Sequence, residues 1–434
     1  MGQPGATDML LISVVFVVLM VAGMPVAFAT AIAGFVFFVF DAGMPMSVGV
    51  QKIASMSQSF PLLAVPFFVL AGHLMNASGI TERLLKVSMV AVGWMSGGLA
   101  QVAIVLSTLM GGVSGSAVAD AAMEARILGP AMIAKGYGKG YSAAAIAVGS
   151  LITATIPPSI GLILYGYVGN VSIGRLFMAG IIPGLLMMVV LLATAYGIAK
   201  RRGYVVAEST KPTFRALARA TWEAKWAILF PVALLFAIRG GVFTPSEVGS
   251  FAVAYALAVG FAAHRELTLE KIWRAFAHAA SDVGLIMLII LMSGMVGFAT
   301  IYLQVPQNLA SWMLAGITDP AMIVLVILLF LLIAGLALDS TVMVLLLTPI
   351  FVPIVVKVGM DPVHFGILMM SIVTLGGMTW PSGSAMFAVC ALMNVSIEEY
   401  SIESIPFIAA ICALIAVLVF LPGVVLWLPN LAFG

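Results

Sequence analysis

The sequence predicts an all-α polytopic membrane protein of two inverted repeats, each with a re-entrant helical hairpin and a broken transmembrane helix. Three observations carry that prediction: composition, a recurring set of helix breakers, and the placement of Lys and Arg. Of the 434 residues, 63% are hydrophobic and 8% charged, and the mean hydropathy is +1.21. Such a chain is not a soluble globule. Many apolar runs reach the roughly 20 residues a helix needs to cross a bilayer core. They lack the alternation of a membrane β-strand, so the spans are helical.

The breakers recur at one offset. Gly335 follows Gly112 by 223 positions, and the same 223 separates Pro353 from Pro130, Gly359 from Gly136, Pro381 from Pro158 and Pro406 from Pro183. The chain is therefore a duplicated unit. In each copy two polar, helix-poor stretches interrupt apolar sequence: Gly111-Gly112-Val113-Ser114-Gly115-Ser116 and Thr153-Ala154-Thr155-Ile156-Pro157-Pro158-Ser159 first, then Gly335-Leu336-Ala337-Leu338-Asp339-Ser340-Thr341 and Gly376-Gly377-Met378-Thr379-Trp380-Pro381-Ser382. Paired interrupted segments in two halves of a membrane protein point to a transport site.

In chain order, spans are expected at 8–22, 25–40, 60–79, 140–165 and 178–198, then at 226–239, 246–263, 284–303, 366–392 and 406–428. The first two could also form one kinked span. Segments 97–133 and 320–356 read as hairpins that enter the bilayer, turn at the small polar tip and leave on the same side. The first repeat thus occupies 1–200, with its broken helix at 140–165. A cytoplasmic interfacial arm follows at 201–225, and the second repeat occupies 226–434, with an arm at 265–279 and a broken helix at 366–392. The segments 203–224 and 265–279 carry Trp222, Trp226 and Trp273 among helically spaced charges, which suits amphipathic helices in the headgroup layer. The first 30 residues hold no Lys or Arg, so the basic region of a signal peptide is missing and the run reads as a retained membrane helix.

Basic residues orient the trace. With the 200–225 loop inside, Lys200, Arg201, Arg202, Lys211, Arg215, Arg219, Lys225, Arg265, Lys271, Arg274, Arg83, Lys86, Lys135 and Lys139 are cytoplasmic. Only Lys52, Arg175, Arg239 and Lys357 fall outside, Arg126 lying near a hairpin. The first hairpin then opens to the cytoplasm and the second to the exterior. A net charge of +2 argues for no nucleic-acid partner, and Cys390 and Cys412 suggest no disulfide framework.

Hairpin tips and Pro-Pro breaks free backbone N–H and C=O groups, which the bilayer tolerates only where protein, water or a ligand satisfies them. Half-helix N-termini favour anions and exposed carbonyls favour cations. Hydroxyls of Ser114, Ser116, Thr153, Thr155 and Ser159 in one half, and of Ser340, Thr341, Thr379 and Ser382 in the other, add neutral oxygen ligands suited to Na⁺. Embedded charges are functional by default. Asp120, Glu124 and Arg126 either neutralise one another or serve the tip, whereas Asp339 is expected beside a cation or as a helix cap. His73, the one histidine placed well inside a span, reads as a packed residue.

The run Gly112-Val113-Ser114-Gly115-Ser116-Ala117-Val118-Ala119-Asp120 with Pro157-Pro158-Ser159 resembles the large membrane subunit of tripartite ATP-independent periplasmic (TRAP) transporters, the DctM type. So do the stretches Gly241 to Glu247, Leu347-Thr348-Pro349 and Asp361 to Gly366. The resemblance implies Na⁺-driven secondary uptake of a small organic anion (carboxylate, sugar acid or sulfonate) by an elevator mechanism in the bacterial inner membrane. It also implies a small four-helix DctQ-type membrane subunit and a periplasmic DctP-type binding protein as partners, and no cofactor beyond Na⁺. Carried over residue by residue, it puts one Na⁺ site at Ser114, Gly115, Ser116, Thr155, Pro157 and Pro158. A second would comprise Leu338, Asp339, Ser340, Thr341, Gly377, Thr379 and Pro381. The substrate would lie between the tips, near Ser116, Ser159, Ser340, Trp380 and Ser382. The family usually has Asp-Pro-Thr where this chain has Asp339-Ser340-Thr341, and Thr-Pro-Pro where it has Thr379-Trp380-Pro381.

Two other readings compete. A Na⁺/carboxylate symporter that needs no binding protein shares the hairpin logic. An intramembrane serine protease would use Gly112-Val113-Ser114-Gly115, but a Ser nucleophile needs a positioned base. A structural tip explains both copies, since Ala337 stands where Ser114 does, and a protease explains one.

Overall fold

The computed structural model describes residues 4–40, 44–204, 211–316, 319–336, 338–381 and 383–434. Every regular element among them is a helix. The first group is α1 (Pro4–Val21), α2 (Val26–Phe40), α3 (Met46–Ser57), α4 (Ala64–Ala77) and α5 (Ile80–Val92). The first hairpin follows as α6 (Gly98–Gly111) and α7 (Ala117–Ile127), the latter extended by α8 (Gly129–Ala134). The first broken helix is α9 (Lys139–Gly149) with α10 (Leu151–Thr155), then α11 (Ile160–Val168), the two parts bent by 46°. Next come α12 (Ile173–Arg202), α13 (Phe214–Glu223), α14 (Lys225–Arg239), α15 (Pro245–Ala258), α16 (Leu269–Tyr302) and α17 (Val305–Gly316). The second hairpin is α18 (Pro320–Gly335) and α19 (Ser340–Lys357), the second broken helix α20 (Pro362–Gly376) and α21 (Ser384–Met393), and α22 (Ile397–Phe420) and α23 (Pro422–Phe433) close the chain.

Six helices among the described residues are long and apolar enough to cross a membrane, up to eight if each bent pair is one span. The chain is a multi-pass membrane protein. The 223-residue offset reappears in the element bounds: Ala117 and Ser340 start α7 and α19, Ala134 and Lys357 end the two hairpins, and Lys139 and Pro362 start α9 and α20.

Packing follows from side-chain size. In α9 every residue from Gly140 to Gly149 is buried, and in α20 every residue from Val363 to Gly376. Helices covered all round form the centre of the bundle. Small residues set the approach there, since lipid tails give apolar helices no reason to associate beyond close packing and polar pairing. A Cβ added to Gly376 would lie 2.7 Å from the Gly335 Cα, so break two and the end of α18 touch backbone to backbone. A separate cluster of Phe37, Phe38, Met295, Val296 and Ala299 joins α2 to α16 on the flank.

The bounds depart from the sequence reading in several places. Helices α3, α5 and α17 have no counterpart among the expected spans. The polar arm at 265–279 and the span at 284–303 are one 34-residue helix, α16. No Pro interrupts 269–302, so the helix carries straight on from polar to apolar sequence. Conversely, the single span expected at 406–428 divides at Leu421, where Pro422 takes the first position of α23, as its missing N–H favours. The runs 8–22 and 25–40 are two helices, parted at Gly23, whose φ is +82°. The arm expected at 201–225 includes 205–210, outside the described residues. Its remainder is the tail of α12 and α13, which meets α14 at 66°. At that corner the Lys225 ammonium lies 4.1 Å from the Trp222 ring and 5.5 Å from that of Trp226.

Candidate functional site: two helical tips around one chamber

The first tip is built by three residues. Gly115 takes φ +65°, a left-handed turn that L side chains disfavour. Ser116 then caps α7, its hydroxyl accepting from the Ala119 N–H. Ser114 donates its hydroxyl to Asp120 Oδ1 at 2.8 Å, closing the turn from inside. The tip rests on break one, because a Cβ on Gly115 would lie 2.1 Å from the Pro158 carbonyl oxygen and one on Gly111 2.9 Å from the Ile156 Cβ. Ser114, Gly115, Ser116, Pro157 and Pro158 are thereby gathered in one place. Thr155 is buried behind them, its hydroxyl 3.4 Å from the Leu151 carbonyl.

The second tip uses a carboxylate where the first uses a hydroxyl. Asp339 caps α19, Oδ1 accepting from the Thr341 N–H at 2.9 Å. Break two turns between α20 and α21 on local bonds: the Thr379 hydroxyl donates to Gly376 at 2.8 Å, Gly383 N–H to Thr379 at 3.0 Å and Ala385 N–H to Gly377 at 3.1 Å. The Tyr400 hydroxyl holds the Met378 carbonyl at 2.7 Å.

The tips face each other across a chamber of two compartments. The deeper, about 110 Å³, is lined by Gly115, Ser116, Ala117 and Val118, by Ile160 and Gly161, by Asp339, Ser340 and Thr341, and by Thr374, Gly377 and Ser384. Ser116, Val118, Ile160, Ile286, Asp339 and Thr341 also line the larger compartment, about 530 Å³, which reaches α4 and α16. The first residues of α7, α11, α19 and α21 all border the deeper space. Four helix N-termini therefore meet at it, each bringing the partial positive charge of its end, with the Ala119, Leu162, Thr341 and Ala385 N–H groups already bonded inside the tips and breaks. Two polar atoms in these walls have no hydrogen-bond partner: Thr374 Oγ1 on a side chain 4% exposed and Asp120 Oδ2 on one 2% exposed. Leaving such an atom unpaired costs about 1–3 kcal/mol, which a bound ligand would offset.

Other expected site residues lie elsewhere. Ser159 is fully buried and bonded to the Ala154 carbonyl at 2.6 Å, so it holds break one and does not line the chamber. Trp380 is 63% exposed and absent from both walls. Leu338, Thr379 and Pro381 belong to the second tip and break but do not border the space either. Ser382 and Ala337 lie outside the described residues. Mutual neutralisation of Asp120, Glu124 and Arg126 does not occur: Asp120 takes the Ser114 hydroxyl, Glu124 takes the Ser107 hydroxyl at 2.9 Å, and Arg126 is exposed. The sequence reading did not single out Ile160, Gly161, Thr374 or Ser384. Their signal was position, the first turn after a break or the last turn before one.

Compared with known families, residues 13–424 match the model described as tripartite ATP-independent periplasmic transporter, DctM component. The chain belongs to the DctM family. The sialic acid TRAP transporter large permease protein SiaM of Vibrio cholerae is 34% identical over 420 residues, 96% of this chain and 97% of that one. The 2,3-diketo-L-gulonate TRAP transporter large permease protein YiaN of Escherichia coli is 31% identical over 404 residues, 93% and 95%. The isethionate TRAP transporter permease protein DctMQ of Oleidesulfovibrio alaskensis is 35% identical over 409 residues, 94% of this chain but 64% of that longer protein. In fold, the chain resembles the Alcanivorax borkumensis YdaH transporter, with a TM-score of 0.64 at 14% identity over 88% of this chain and 90% of that one.

As a DctM-family permease subunit the chain is not an enzyme, and the Gly112-Val113-Ser114-Gly115 motif fits that assignment. The Ser114 hydroxyl is committed to Asp120, and His73 Nε2 lies 2.8 Å from Asp282, so neither serves the other. A second histidine, His364, is buried in α20 with Nε2 on the Leu418 carbonyl, a structural contact.

Proposed function

We propose that this chain is the large permease subunit of a Na⁺-gradient-driven TRAP system that takes up a small organic anion across the bacterial inner membrane. The observation that carries the reading is the chamber, where both hairpin tips and four helix N-termini meet. N–H groups and helix dipoles suit a carboxylate or sulfonate, while the hydroxyls of Ser116, Ser340 and Thr341 and the Asp339 carboxylate supply hard oxygen donors for Na⁺. Ser114, Gly115, Ser116, Thr155, Pro157 and Pro158 would make one ion site, and Leu338, Asp339, Ser340, Thr341, Gly377, Thr379 and Pro381 the other. The relatives are named for isethionate, sialic acid and 2,3-diketo-L-gulonate, a sulfonate and two sugar acids.

Topology supports alternating access. The long-range ion pairs Arg83–Glu266 (2.8 Å) and Arg202–Glu403 (2.8 Å) join residues that the basic-residue trace puts inside. Arg175–Asp361 (3.5 Å) joins two that it puts outside. With that orientation the hairpins open to opposite sides, as inverted repeats require, and the hairpin-bearing helices slide against α1–α5 and α14–α17. A periplasmic binding protein delivers the anion, and a small membrane subunit completes the assembly.

The test is uptake in proteoliposomes holding the chain and its small subunit, with the cognate binding protein added outside. Uptake should require both the binding protein and an inward Na⁺ gradient. Uptake without the binding protein would assign the chain to the self-sufficient symporters instead, and uptake indifferent to Na⁺ would end the coupling claim.

A further inference from the structure

Among the described residues, neither compartment of the chamber is walled by any Lys or Arg. The larger one is bordered by Asp120, Asp282 and Asp339. The side chain in these walls that can carry positive charge is His73. It belongs to α4, which packs beside the first tip at Gly72: a Cβ there would lie 3.5 Å from the Ser114 Cα. The sequence reading took His73 as packed and hydrogen-bonded; it is hydrogen-bonded but not enclosed. Its side chain is 28% exposed, and Nε2 lies 2.8 Å from Asp282 Oδ2 on α16, itself 52% exposed. His278, one turn earlier on α16, has its ring centroid 6.0 Å from that of His73.

We propose that His73 is the anion contact on the α4–α16 side of the chamber, with Asp282 as its positioning residue; the proposal rests on the reading that the chamber receives an organic anion. The chemistry follows from the tautomer. Facing a carboxylate, Nε2 donates its N–H to Asp282. Nδ1 of the singly protonated ring is then only an acceptor, and adding a proton turns it into a charged donor that can bond a carboxylate or sulfonate oxygen. Anion and proton therefore bind His73 together. The titratable groups that face it are Asp282 and His278 on α16, Asp120 on α7 and Asp339 on α19; α4 itself contributes none.

The experiment is uptake of isethionate, sialic acid and 2,3-diketo-L-gulonate by the full chain, reconstituted with its small subunit and binding protein. His73→Gln keeps a donor toward Asp282 but cannot become a cation. For whichever probe the wild type transports, this variant should raise KM about tenfold or more, the worth of one charge-assisted hydrogen bond. Vmax and the half-saturating Na⁺ concentration should stay within about twofold, since no ion ligand is touched. Wild-type KM should vary with pH, and the His73→Gln profile should be flat. Asp282→Asn should raise KM less than His73→Gln does and leave a pH dependence in place. An unchanged KM in His73→Gln, or a profile still sloping in it, overturns the assignment while leaving the chamber reading intact. Wild-type uptake that Ser116→Ala and Thr341→Ala both leave unchanged would instead remove the chamber reading.

Discussion

Gly115 and Pro158 lie in backbone contact: a methyl group on Gly115 would have to occupy space 2.1 Å from the Pro158 carbonyl oxygen. That contact joins the first hairpin tip to the first helix break, and Gly115 also holds φ +65°. Gly115→Ala therefore meets two penalties, about 1–2 kcal/mol for the left-handed conformation and a collision with main chain that cannot rotate away. The variant should lower the thermal midpoint in detergent and weaken Na⁺-dependent uptake. Gly197→Ala is the control, since nothing lies within 4 Å of its added Cβ and its helix should gain up to about 1 kcal/mol. Equal behaviour of the two variants would remove the tip–break contact from the argument.

Ser116 and Thr341 border the deep chamber from opposite tips. If each donates a hydroxyl to an ion, Ser116→Ala and Thr341→Ala should each raise the half-saturating Na⁺ concentration roughly fivefold, the worth of about 1 kcal/mol. Ser159→Ala should not do so, because its hydroxyl is spent inside break one on the Ala154 carbonyl. The measurement is uptake rate against external Na⁺ at fixed membrane potential. Unchanged Na⁺ dependence in both tip variants would count against the ion-site assignment.

How much of this was legible depends on what the residues encode. Breakers such as Gly112, Pro158, Gly335 and Pro381 act locally, so their 223-residue spacing already places two hairpins and two breaks, and the element bounds repeat it. Asp339 could be read as a helix cap for the same reason, and it caps α19. What pairs across the bundle is not local. Nothing near His73 in the chain announces Asp282, 209 positions away. Exposure was equally hidden: Trp380 adjoins a break, yet its ring faces outward. The continuity of α16 was obscured by a polarity change that resembles a boundary without any residue that terminates a helix.

The repeats differ at a buried hydrogen bond beside break two. Tyr400 holds the Met378 carbonyl at 2.7 Å, but the residue 223 positions earlier is Phe177, which packs edge-on against Phe68. Break two therefore depends on a side-chain donor that break one lacks. Tyr400→Phe should destabilise the protein by about 1–3 kcal/mol by leaving that carbonyl unpaired in a fully buried place. The expected signature is a lower thermal midpoint together with faster proteolysis or hydrogen exchange near 376–383. A midpoint equal to wild type would mean that the carbonyl finds another donor.

His264 ties the corner after α15 to the end of α4: its Nδ1 donates to the Ser78 carbonyl at 2.9 Å, beside the Arg83–Glu266 pair. Burial holds the imidazole below its ordinary range, and the nearby Arg83 adds to that, outweighing the carbonyl and Glu266. The folded protein thus binds the His264 proton less readily than the unfolded chain, whose histidines titrate near about 6.5. Where the unfolded state holds more protons, stability rises with pH. The contribution of His264 is therefore complete above about pH 6.5 and is lost as pH falls toward the depressed folded value. Comparing thermal midpoints of wild type and His264→Asn between about pH 5 and 8 isolates it. The wild type should lose more stability on acidification than the variant, and parallel curves would assign that acid sensitivity to other groups.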